Sequence, residues 1–76
     1  MKLTKREIAW HRKAGIRVAV IYVVENLPPG YNAIIIKVQN DWYVLYSENG
    51  VENEWEDRYA SADAALEALE QRISLH

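Results

Sequence analysis

The stretch from Ala33 to Arg58, AIIIKVQNDWYVLYSENGVENEWEDR, alternates apolar and polar residues around two turn signals, which is the pattern of two consecutive β-hairpins. If Glu48, Asn49 and Gly50 form a three-residue loop with Gly50 left-handed, Ser47 pairs with Val51 and Tyr43 with Trp55. Side chains alternate strictly along a strand, so this register gathers Ile34, Ile36, Val38, Tyr43, Leu45 and Trp55 on one face. It sets Trp42, Val44 and Tyr46 opposite Glu56, Glu54 and Glu52 on the other. The expectation is an aromatic and acidic face turned outward, the strongest lead to function in the chain.

A chain of 76 residues makes one domain, residues 1–76. At that size folding buries only about 60% of the surface the unfolded chain exposes, which leaves no slack for a large cleft. There is no cysteine. Disulfides, thiolate catalysis and cysteine-ligated metal sites fall away together, and the expected location is cytoplasmic. The apolar run from Val18 to Val24 follows a basic segment, but Tyr22 interrupts it and ENLPPGY offers no small-residue cleavage site. It is also far short of the roughly 20 residues of a membrane-spanning helix.

The net charge of -2 conceals a division. Lys2, Lys5, Arg6, Arg12, Lys13 and Arg17 against Glu7 alone give the first seventeen residues +5, whereas eight acids against Arg58 and Arg72 give the segment from Glu48 onward -6. The two ends can neutralise each other, meet in a second copy, or serve different partners.

Local signals predict a helix at each end. Thr4 and Glu7 have the spacing of a capping box, Leu3 and Ile8 that of a hydrophobic staple, and Gly15 with Ile16 that of a left-handed C-cap, so a helix is expected from about Lys5 to Ala14. Ser61 is placed to cap a second helix whose stripe is Ala62, Ala65, Leu66, Leu69 and Ile73, expected to cover the Ile34, Ile36, Leu45 and Trp55 face. Between them, Arg17 to Glu25 is rich in valine and isoleucine and apolar on both alternations, as an interior strand should be. NLPPGYN then breaks the chain, Asn40 and Asp41 make the next turn, and strands follow over 42–47 and 51–59. The expected fold is α+β: an N-terminal helix, a four-stranded mainly antiparallel sheet and a C-terminal amphipathic helix, αββββα.

Catalytic equipment is sparse. His11 lies in the basic segment and His76 at the terminus, and Ser47, Ser61 and Ser74 have no visible base with an orienting acid. Glu52, Glu54 and Glu56 bring no histidine motif, so no enzyme, metal or cofactor is expected. TKREIAWHRKAGIRVAVIYVVEN resembles the helix-turn-helix segment of lac-repressor-type regulators over a third of the chain. It departs at the spacing between EIA and AGI, two residues too long, and at VAVIYVVE, a strand former where a recognition helix would lie.

Two functions follow. The first is a non-enzymatic protein-binding module, a regulator or inhibitor, docking a basic partner through Trp42, Val44, Tyr46, Glu52, Glu54 and Glu56. In kind it is similar to small phage-encoded inhibitors of host systems, such as anti-CRISPR proteins, which are short, often acidic and without catalytic residues. The alternative is nucleic-acid binding by the basic helix through Lys5, Arg6, Trp10, Arg12, Lys13 and Arg17. Apolar residues on both sheet faces also predict a homodimer, with Trp42, Val44 or Tyr46 in its interface.

Overall fold

The structure, a computed structural model, describes residues 2–8, 12–13, 16–17, 20–53 and 57–74, with backbone alone for 12–13 and 16–17. Among the described residues seven strands and one helix follow in order: β1 (Thr4–Ile8), β2 (Arg12–Lys13), β3 (Ile16–Arg17), β4 (Val20–Glu25), β5 (Tyr31–Val38), β6 (Asp41–Glu48), β7 (Val51–Asn53) and α1 (Ala62–Ser74). Five of the strands form an antiparallel sheet in the order β1-β4-β5-β6-β7, and β2 pairs with β3. The fold is thus a β-rich α+β arrangement, and the αββββα expectation is overturned at its first element.

Where a helix was expected, Thr4–Ile8 is an edge strand on β4. The capping signals are local and worth about 1 kcal/mol each. Against them stands a whole ladder of backbone hydrogen bonds that β4 would otherwise leave unmade along one edge. Leu3 and Ile8, which a helix would staple together, lie on opposite faces of the sheet, and Leu3 is buried. Arg12 pairs with Arg17 four residues beyond the Ile8 and Ile21 pair on both strands, so β2 and β3 continue the register of β1 and β4. The segment that resembles a helix-turn-helix therefore consists of strands wherever it is described, apart from the bend at its last residue, Asn26. Gly15, the expected C-cap, lies outside the described residues.

The hairpins of the second half are tighter than expected. Val38 pairs with Asp41 and Glu48 with Val51, leaving the two-residue loops Gln39-Asn40 and Asn49-Gly50. Positive φ at Asn49 (52°) and Gly50 (81°) is the type I′ pattern, whose twist matches that of the strands. Gly50 is left-handed as expected, but the loop is one residue shorter, and a one-residue change of register turns β7 over.

Packing settles which face is inside. Ser61 caps α1 by accepting the Ala64 N–H at 3.1 Å, and the stripe Ala62, Ala65, Leu69 and Ile73 is buried. It lies against Ala33, Ile35, Val44 and Tyr46, with Leu3 and Val24 completing the core. The stripe's two alanines, Ala62 and Ala65, present little bulk to the sheet, while Tyr22, Trp42 and Tyr59 pack around the margin. The helix thus covers the Trp42, Val44 and Tyr46 face. The Ile34, Ile36 and Leu45 face, expected beneath it, is the opposite one.

Candidate docking face

Two rows of apolar residues cross the sheet on the side away from α1. Val23, Ile34 and Leu45 are register neighbours on β4, β5 and β6, and Ile21, Ile36 and Tyr43 form the next row. None of the six is buried, and Leu45 is 46% exposed. Among the described residues no helix lies over them. A polar row, Asn32, Ser47 and Glu52, crosses β5, β6 and β7 at one end of the apolar rows. Glu25 faces Thr4 at the same end, and Asp41 lies at the other.

The charges on this face are mostly acidic and only partly answered. Arg6 reaches Glu25 at 3.6 Å and Arg58 reaches Asp41 at 3.8 Å, both between well-exposed side chains. Such pairs contribute little stability, so the rim is a solvated charge pattern rather than a clamp. Between the apolar and polar rows is an open cavity of about 310 Å³ lined by Asn32, Ile34, Leu45, Ser47 and Glu52 of this face and by the intervening row Ala33, Tyr46 and Asn53, whose side chains alternate to the α1 side.

The turn beside this cavity is tied down. The Asn49 N–H donates to the Gly30 carbonyl at 2.8 Å, which requires close approach of two loops, and Gly30 itself has φ 89°. A Cβ at position 30 would meet the Asn49 side chain. Tyr31 donates its hydroxyl to the Glu48 carboxylate at 3.0 Å, and its pKa is raised by desolvation first and then by that hydrogen bond and the negative charge beside it.

The expected site residues are divided by the observed register. Val44 and Tyr46 are buried beneath α1, and Trp42 is half-buried with its backbone paired to Tyr59. The outward placement of Val44 and Tyr46 is therefore corrected: reaching them would require displacing the helix. Glu52 is exposed on the opposite face, and Glu54 and Glu56 lie outside the described residues. The aromatics are accompanied by cations instead of acids: Lys5 lies over Tyr22 at 5.3 Å, Lys37 over Trp42 at 5.7 Å and Arg72 over Tyr46 at 5.8 Å.

The basic residues are divided as well. Lys5 pairs with Asp63 of α1 at 2.6 Å, Arg6 is on the uncovered face, and Arg12, Lys13 and Arg17 are in the β2–β3 ribbon. Trp10 lies outside the described residues, and the basic helix that was to present all six is replaced by strands. Among the described residues no three metal-ligating side chains come together, and no helix is long and apolar enough to cross a membrane.

Sequence reasoning missed Asn32, Ile34 and Leu45 as surface residues. The signal was Asn49-Gly50, which as a two-residue I′ turn gives the observed register directly. Comparison with known proteins finds no matching family model, no similar curated protein and no similar solved structure.

Proposed function

We propose that the chain is a non-enzymatic protein-binding module, a small cytoplasmic regulator or inhibitor, that docks a basic partner through the uncovered aliphatic face and its acidic rim. The observation that carries this reading is the pair of apolar rows centred on Ile34 and Ile36, with Leu45 at 46% exposure and no described element above them. A contiguous aliphatic surface of this kind costs solubility unless something covers it, and rim carboxylates steer a cationic partner onto it. Leu45→Asp leaves the α1 core untouched. A partner captured from the source cell and then purified should bind the wild type and lose at least tenfold in affinity for Leu45→Asp. Equal affinity for a variant with unchanged circular dichroism rejects this face as the docking site.

A second reading, nucleic-acid binding, is supported by one feature. Arg12 and Arg17 occupy directly paired backbone positions of β2 and β3, with Lys13 next in sequence, so the ribbon concentrates basic residues of the kind that bind phosphate. Lys5 and Arg6 already have carboxylate partners. Arg12→Glu with Arg17→Glu should abolish salt-sensitive binding to mixed duplex DNA and RNA; wild-type protein that shows no such binding at low ionic strength ends this reading.

A further inference from the structure

Three acids lie on the uncovered face in described positions, and they are not equivalent. Glu25 and Asp41 each hold an arginine of the same chain, at 3.6 and 3.8 Å. Glu52 is exposed and has no ion pair or side-chain hydrogen bond among the described residues. It is also the acid that lines the cavity, which has Ile34 and Leu45 on the apolar side and the Asn32 amide and Ser47 hydroxyl on the polar side.

This combination has a chemical counterpart. A lysine or arginine side chain is an apolar stem of three or four carbons ending in a cation, and it is most stable where the stem lies on hydrocarbon and the head meets a carboxylate. Ile34 and Leu45 are register partners and offer the hydrocarbon. Glu52 is one row further along, opposite Ser47, and offers the charge. The Asn32 amide oxygen and the Ser47 hydroxyl add acceptors for the remaining N–H groups. The Asn49-Gly50 turn that leads into Glu52 is held by the Gly30 carbonyl, so the pocket is ordered before anything enters it.

We infer that this cavity receives a lysine or arginine side chain projecting from an amphipathic basic segment of the partner, whose apolar residues lie on the Ile34 and Ile36 rows. The inference rests on the docking reading and adds to it the chemistry of the anchoring residue. One carboxylate in an open pocket holds a free amino acid too weakly to make a small-molecule site, whereas the adjoining rows supply the apolar contact that a peptide segment brings.

The test is an amide-resolved NMR titration with two capped amphipathic peptides, one of leucine and lysine and the other with glutamine in place of every lysine. The lysine peptide should shift Leu45, Ser47, Glu52 and Asn53 and bind at least fivefold more tightly than the glutamine peptide. Glu52→Gln should remove that preference without changing the fold. Equal affinities for the two peptides, with Ile34, Ile36 and Leu45 still perturbed, overturn the cationic pocket and leave the docking face standing. If neither peptide perturbs these residues, the docking reading fails with it. Shifts of the same amides on concentration alone would make a second copy the occupant and reject a foreign basic segment.

Discussion

The two faces of the five-stranded sheet are built from different chemistry, although both read as apolar in the sequence. Beneath α1 lie Val44 and Ile35 with no exposed surface, flanked by Tyr22, Trp42 and Tyr46, each ring accompanied by a cation. On the other side are aliphatic residues of β4, β5 and β6, rimmed by Glu25, Asp41 and Glu52 and without a described element above them. Polar handles explain the choice. Tyr46 buried beneath the helix receives an N–H from Arg72 at 2.9 Å, Leu3 donates its N–H to Glu70 at 3.0 Å, and Lys5 meets Asp63. On the other face the centre, Val23, Ile21, Ile34, Ile36 and Leu45, carries no side-chain hydrogen-bonding group, and the polar residues lie at its ends. Apolar content alone does not identify the inside of a small sheet; the side that can also satisfy its helix is the one that becomes the core.

The largest test of this contrast is a pair of truncations. Leu69→Ala, at a fully buried position of α1, should cost about 2 to 5 kcal/mol in denaturant unfolding, whereas Leu45→Ala should cost less than about 1 kcal/mol. Comparable losses at the two positions would mean that the second face is packed as well.

Next in size is the turn on which the face assignment depends. A β-branched residue resists φ 81°, so Gly50→Val should destabilise by about 1 to 3 kcal/mol and lower the melting temperature. No change in melting would contradict the two-residue loop. Tyr46→Phe removes the acceptor of the Arg72 N–H without removing the ring and should cost about 1 kcal/mol. A larger loss at Leu45 than at Tyr46 would invert the account of the two faces.

Much of the second half was legible in the residues. The Ser61 cap and the Ala62, Ala65, Leu69 and Ile73 stripe are local or near-local patterns, and strands around Tyr31–Val38 and Asp41–Glu48 follow from alternation and turn residues. The N-terminal strand was not legible, because Thr4, Glu7 and Ile8 satisfy helix rules among neighbours while the competing ladder on β4 is made with residues up to 21 positions away. The candidate site failed on one residue. Counting Glu48 into the loop placed Glu52 beside Tyr46; pairing Glu48 with Val51 places it beside Ser47, on the other side of the sheet.

The smallest expected effect is a titration. Tyr31 has its pKa raised, so its phenol stays protonated above the ordinary value of 10.0, chiefly through desolvation and through its hydrogen bond to Glu48. The stability linked to this group is fully present below pH 10 and is lost as the pH rises through the folded-state pKa. Phenolate absorbance should include a late-titrating component that disappears in Tyr31→Phe; a Tyr31 that ionises early would break the link between the two loops at this end of the sheet.

The difference between the faces is tested most directly by methyl NMR with a soluble paramagnetic agent at protein concentrations low enough to exclude association. Methyl groups of Leu45, Ile34 and Ile36 should be relaxed strongly, while those of Ile35, Val44 and Leu69 are protected. Equal protection of both sets would show that the aliphatic face is covered within the single chain and would remove the docking surface.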